Sequence, residues 1–167
     1  MMPLMENSAA SPPSPIERRN AFLCLAGLIL LGIAVVQIGL GYGACPQDDA
    51  FISYRYAQNL VDGHGLVFNP GEWVEGYSNL SWTLIMAALM AMNQDPIQAS
   101  AVLGIGSVVL TMGLMVVLLR RPESDRISPA LLIAPALLAI DAEMVLEAVE
   151  GLETTFYMML ITAAVLQ

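Results

Sequence analysis

Lysine is absent from this 167-residue chain, and its six cationic residues are all arginines set against fifteen acids. Charge of either sign is scarce, at 13% of residues. The net charge of −9 excludes a nucleic-acid-binding surface, because phosphate backbones are held by basic patches. Cysteine is nearly absent too. Cys24 and Cys45 are the only two and make no metal or redox spacing. A disulfide between them would have to cross roughly a bilayer leaflet, beyond the reach of disulfide geometry. What the chain has in excess is apolar residues, 57% of the total. A soluble domain of this size can bury one core. Here the apolar residues come in long uninterrupted blocks, and that pattern belongs to a bilayer.

Residues 1–20 are dominated by Pro, Ser and small side chains and read as a disordered cytoplasmic tail. They end near Arg18-Arg19. Residues 21–42 carry no charge over 22 positions, enough to cross a hydrocarbon core. A signal peptide would have an apolar region of only ~7–15 residues, and Tyr42 stands where a lipoprotein cleavage site has a smaller aliphatic residue. The arginine pair places the N-terminus of this helix in the cytoplasm.

Residues 43–96 then form an external loop with juxtamembrane helices. A helix is expected over 49–61, with Ala50, Tyr54, Ala57 and Val61 on one stripe and Ser53 and Gln58 off it, lying at the membrane surface. Gly63-His64-Gly65 ends it, and Asn69-Pro70-Gly71 is a turn. Residues 78–92 are apolar but short. Residues 97–119 are uncharged over 23 positions and lead into Arg120, Arg121 and Arg126, which belong in the cytoplasm. Residues 78–92 therefore read as a short span or a juxtamembrane helix, and a crossing from outside to inside over 97–119 favours the juxtamembrane helix. Residues 128–146 return outward, with Asp141 and Glu143 near the external surface because mid-membrane acids are costly. Another span begins after Leu152. The expected fold is all-α and multi-pass, with residues 97–167 holding further transmembrane helices.

On this topology two acidic clusters meet on one side of the membrane, Asp48-Asp49 and Glu150 through Glu153. Carboxylates in that position can act as general bases or metal ligands. Adjacent acids that open a helix also serve simply as caps or as partners of the helix dipole. Arg55, two turns after Asp48, either binds a phosphate or pairs with Asp48. Tyr54, Tyr56, Trp73, Tyr77 and Trp82 either stack on sugar rings or anchor at the lipid interface. Asn79-Leu80-Ser81 has the pattern of a glycosylation acceptor.

The stretch DDAFISYRYAQNLVDGHGLVFNPGEWVEGYSNLSWT resembles the first external loop of C-type (GT-C) polyprenyl-phosphate-sugar glycosyltransferases, in their arabinofuranosyltransferase-like branch. The shared elements are Asp-Asp, Arg-Tyr-Ala, Gly-His-Gly-Leu, Phe-Asn-Pro-Gly and Val-Glu-Gly-Tyr, in that order. The later EGLETTFYMML resembles the group's Gly-Leu-Glu-Thr element, with Glu150 where a small residue is usual. The resemblance covers residues 43–85 closely and 147–160 moderately.

It implies an enzyme that moves a sugar from a polyprenyl phosphate to a glycan or glycoconjugate acceptor on the external or periplasmic face of the cytoplasmic (inner) membrane. Asp48 and Asp49 match the catalytic base. Tyr54, Arg55, His64, Glu75, Tyr77, Glu150 and Glu153 are the candidates for substrate binding. Some related enzymes also use a divalent metal cation on acidic residues, which makes Asp48 and Asp49 the candidate ligands. Relatives have many more spans, so the chain reads as an N-terminal fragment with an incomplete module, inactive alone. The alternative is a non-catalytic membrane protein, or truncated remnant, that binds lipid-linked sugar or supports an envelope assembly.

Overall fold

The computed structural model describes residues 14–120 and 127–166. Over these residues the protein is all-helical, with seven α-helices and one short 3₁₀ turn. Two of the helices are long and apolar enough to span a membrane: α1, Pro15–Tyr42, and α4, Pro96–Leu119. At ~1.5 Å per residue they run about 42 and 36 Å. Only 17% of the most apolar stretch of α1 and 28% of that of α4 is buried within the chain.

α1 begins at Pro15, so residues 15–20 are helix rather than tail. The reason is a capping box. Ser14 Oγ accepts from the Glu17 N–H at 3.3 Å, and Glu17 Oε2 accepts from the Ser14 N–H at 2.6 Å. Pro15 follows at the first helical position, where its missing N–H costs nothing. Residues 1–13 of the expected tail, and Arg121 and Arg126, lie outside the described residues.

α1 and α4 run antiparallel. Gly39 of α1 faces Ile105 and Gly32 faces Val109, so position falls along one helix as it rises along the other. The chain then returns parallel to α1. Cys24 Sγ donates to Ser128 O at 3.2 Å near one end, and the Cys45 N–H donates to Val149 O at 3.0 Å at the other. Residues 128–149 therefore travel the same distance as residues 24–45.

This return is not one helix. A 3₁₀ turn, Pro129–Leu132, leads into α5, Ile133–Ile140, and α6, Ala142–Glu147, follows after a break at Asp141. Asp141 ends one helix and caps the next, its Oδ1 accepting from the Glu143 and Met144 N–H groups at 3.1 and 3.3 Å. Val35, Val108, Met112, Ala139, Val145 and Ala148 form the core where the three runs meet.

Beyond the end of α1 sits a second layer. α2, Asp48–Val61, lies on α3, Leu80–Ala91. At 12 residues α3 is about 18 Å long, too short to cross a hydrocarbon core. The second core joins Ala50, Tyr54, Ala57, Trp82, Met86 and Ala87 to Leu152 and Phe156. The expected α2 stripe is only partly the buried one. Val61 is exposed and Ser53 is buried, because Ser53 has a hydrogen-bond partner inside and Val61 stands at the open end of the helix. α7, Thr154–Ala164, packs along α4. Small residues on α4 permit this approach: Ser100, Gly104, Ser107 and Thr111 are its inward positions, and Thr155 Oγ1 donates to Gly104 O at 3.3 Å.

Candidate functional site

An open cleft of about 310 Å³ lies where α2, the loop before α3 and the start of α7 converge. Asp49, Ser53, Tyr77, Asn79, Glu153 and Thr154 contribute to its lining. The two acidic clusters of the sequence thus meet in space, through Asp49 from one and Glu153 from the other.

Asp48 and Asp49 are the first two residues of α2 and both are exposed. The residue in the N-cap position is Gln47, whose side chain makes no cap bond. Neither aspartate takes a hydrogen bond from another described residue. They stand beside the free N–H groups of the first turn, at the positive end of the helix dipole. Asp49 lines the cleft, while Asp48 is not among its lining residues.

Glu153 is held from behind. Asn79 is buried and donates to Glu153 Oε2 at 2.7 Å. The Asn79 side chain also bonds Ser53 Oγ, and its Oδ1 accepts from Thr83 Oγ1 at 3.1 Å. A buried amide with all its partners in place fixes the carboxylate that faces the cleft. Burial also rules out Asn79 as a glycosylation acceptor in the folded chain. Trp82 Nε1 donates to Gly151 O at 3.1 Å, which ties the segment before α7 to α3.

Glu150 sits outside the cleft lining, behind the start of α2. Its backbone carbonyl accepts from the Gln47 N–H at 2.9 Å, and its carboxylate accepts a short hydrogen bond from Gln47 Nε2. Burial and the neighbouring Glu147 push its carboxyl above the usual range, while the Gln47 bond pulls the other way. A raised folded-state pKa means that ionising Glu150 opposes folding. Stability is therefore expected to fall as pH rises from the unfolded value of about 4.3 through the higher folded value. Glu150→Gln keeps an acceptor for Gln47 without the charge and should flatten that fall. Thermal melts of detergent-solubilised protein at pH 4.5 and 7.5 check this; identical pH slopes for both proteins would refute it.

The other expected site residues lie outside the cleft lining, with one exception. Tyr54 is buried beneath it, its hydroxyl 2.7 Å from Ser100 Oγ. Arg55 turns to the following loop, its Nε donating to Phe68 O at 3.1 Å. His64 is exposed in the turn after α2, its N–H bonded to Asn59 O. Glu75 is exposed one residue before the lining begins at Gly76. Tyr77, the exception, lines the cleft and packs edge-on against Tyr56 with ring centroids 5.0 Å apart. Nothing in the sequence marks Gln47 and Asn79 as the partners of the two glutamates, or Ser53 as the partner of Asn79. Their signal was polarity alone, which does not reveal a partner distant in sequence.

Among the described residues, no three His, Cys, Asp or Glu side chains group in a way that could hold a metal ion.

Fold and cleft together define an all-helical protein with membrane-length helices and an acidic cleft beyond their ends. Over 60 residues the chain is 35% identical to the terminal β-(1→2)-arabinofuranosyltransferase of Mycobacterium tuberculosis (strain ATCC 25618 / H37Rv). That similarity covers 34% of this chain and 10% of the mycobacterial protein. No family model matches the chain, and no solved structure matches it.

Proposed function

We propose that this chain forms part of a membrane glycosyltransferase that uses a polyprenyl-phosphate sugar, a pentofuranose donor being favoured by the arabinofuranosyltransferase similarity. The observation that carries this reading is the convergence of Asp49 and Glu153 on one open cleft. The apolar flanks of α1 and α4, left largely uncovered by the rest of the chain, support placement in a bilayer. A lipid phosphate then waits at the interface, close to the acidic cleft.

In the proposed reaction, the Asp49 carboxylate takes the proton of an acceptor hydroxyl. The freed oxygen attacks the anomeric carbon, the bond from that carbon to the phosphate oxygen breaks, and polyprenyl phosphate leaves with the electron pair. General-base help of this kind gives ~10²–10⁴ in rate. Glu153, fixed by Asn79, orients the acceptor by accepting from a second hydroxyl. Membranes carrying the full-length protein that contains this chain should move labelled pentose from polyprenyl-phosphate pentose to a glycan acceptor. Saturable donor binding without transfer would favour the non-catalytic alternative.

The orientation has its own test. Cys45 is exposed beside the start of α2 and Cys24 is buried. A membrane-impermeant maleimide should label Cys45 in intact spheroplasts, and Cys45→Ser should abolish the signal. Labelling only in inside-out vesicles would place the cleft in the cytoplasm and overturn the assignment.

A further inference from the structure

Between α2 and the cleft the chain forms a lobe over residues 62–77 whose most exposed large apolar residue is Trp73, at 80%. The lobe is not loose. The Glu72 N–H donates to Asn69 O at 3.0 Å and closes the turn at Pro70-Gly71. Tyr56 Oη donates to Val74 O at 2.8 Å and accepts from the Gly76 N–H at 2.9 Å. The phenol thus clamps the backbone on the cleft side of Trp73. The indole is seated on Gly65, where φ is +87°: ring atoms Cη2 and Cζ3 lie 3.2 and 3.5 Å from where a Cβ would stand. Any larger residue at Gly65 would crowd the ring from below. The result is an indole that rests on Gly65, on a backbone clamped beside it, with most of its surface open.

We propose that Trp73 is a stacking platform for a sugar ring of a neutral glycan acceptor, a subsite that feeds the cleft. This rests on the glycosyl-transfer reading and adds to it the binding of the acceptor. Three observations point to sugar. First, an aromatic face packs against the C–H face of a sugar while flanking polar groups take its hydroxyls. Glu75, exposed two residues on and without a hydrogen bond to another described residue, can take such hydroxyls, and Glu72 accepts from Asn69 through one carboxylate oxygen. Second, the lobe holds the acids Asp62, Glu72 and Glu75 and the single His64, and the one cation on it is Arg55 of α2, which reaches over to Phe68 O. That balance disfavours anionic headgroups and anionic glycans. Third, Gly76 and Tyr77 line the cleft. Gly76 lies three positions after Trp73, so their Cα atoms are at most about 11 Å apart. An oligosaccharide lying on Trp73 reaches the acidic cleft.

The chain has two tryptophans, and the other, Trp82, is fully buried. Aqueous iodide reaches Trp73 and not Trp82, so a ligand-dependent change in quenching reports Trp73. In Asp49→Asn protein, titration with a neutral pentofuranose oligosaccharide should blue-shift the emission and protect it from iodide quenching. In the active protein, Trp73→Ala should raise the acceptor KM about tenfold, with the donor KM unchanged. Trp73→Phe should recover most of that loss, and Trp73→Leu should not, since it keeps apolar area without an aromatic face. Recovery by Leu, or quenching of Trp73 by brominated lipids in vesicles, would make the residue a membrane anchor and overturn the platform. The two readings fail separately. If Asp49→Asn transfers sugar normally while the oligosaccharide still shifts Trp73, the catalytic assignment falls and the platform stands. If transfer is lost in Asp49→Asn but Trp73→Ala leaves the acceptor KM unchanged, the platform alone falls.

Discussion

Asp49→Asn is expected to lower sugar transfer by about 10²–10⁴, the worth of a general base, while the protein keeps its fold and membrane insertion. The amide is nearly the same size as the carboxylate and sits on the same exposed first turn. Asn loses the charge that favours the helix N-terminus, but no hydrogen bond to another described residue depends on Asp49. What it cannot do is take a proton from an alcohol. The two aspartates should separate, because only Asp49 is among the residues lining the cleft. Asp48→Asn is expected to cost less than about tenfold, the loss of a neighbouring charge without loss of the base. Glu153→Gln keeps an acceptor for Asn79, so it should raise the acceptor KM more than it lowers kcat. Initial rates with labelled lipid donor, measured in membranes holding equal amounts of each protein, give the comparison. Wild-type rates in both single aspartate variants would remove the catalytic assignment. A loss confined to Asp48→Asn would assign the base to the other residue.

Gly151→Ala should undock the segment before α7 and take the cleft with it. Gly151 has φ +83°, a conformation that costs an L-residue about 1–2 kcal/mol. There is no room for a side chain either. A methyl group there would run into the Tyr54 hydroxyl and stand 3.0 Å from Ala50 Cβ. Overpacking of this kind adds about 1–3 kcal/mol. The combined loss is a large share of the ~5–15 kcal/mol that holds a domain together. It falls on the piece of chain that carries Glu153 and the Trp82 contact. Thermal denaturation in detergent should show a clear drop for Gly151→Ala, with transfer activity lost in parallel. Tyr54→Phe in the same chain should recover part of the stability by removing the oxygen in the way, less what the lost bond to Ser100 contributes. Gly106→Ala is the control. It lies inside α4 with nothing within 4 Å of the added methyl, so it should be neutral or slightly stabilising. Equal melting of Gly151→Ala and wild type would mean that the close seat of Gly151 on Tyr54 does not hold.

The helices of membrane length, the short α3 and the turns are legible along the chain. These features follow from local chemistry. An uncharged run of 22 residues, a Gly-His-Gly stop and an Asn-Pro-Gly turn state their structure without reference to distant residues. Even the two departures had local causes. The Ser14–Glu17 capping box moved the start of α1 back to Pro15, and the preference of Asp141 for an N-cap position broke the return run. That Asp49 and Glu153 belong to one cleft could be expected from counting crossings.

Which acids face that cleft, and what holds them, depends on how the helices pack. Asp48 and Asp49 are adjacent in sequence, but helix geometry sets neighbouring side chains about 100° apart, so one lines the cleft and the other does not. Glu150 and Glu153 look alike in the sequence, yet one is buried against Gln47 and the other is aimed outward by Asn79. Tyr54 and Trp82 looked like surface aromatics and lie inside, while Trp73 stays out on its glycine seat. Burial and partnership are properties of contacts between residues far apart in the chain, and no local pattern encodes them.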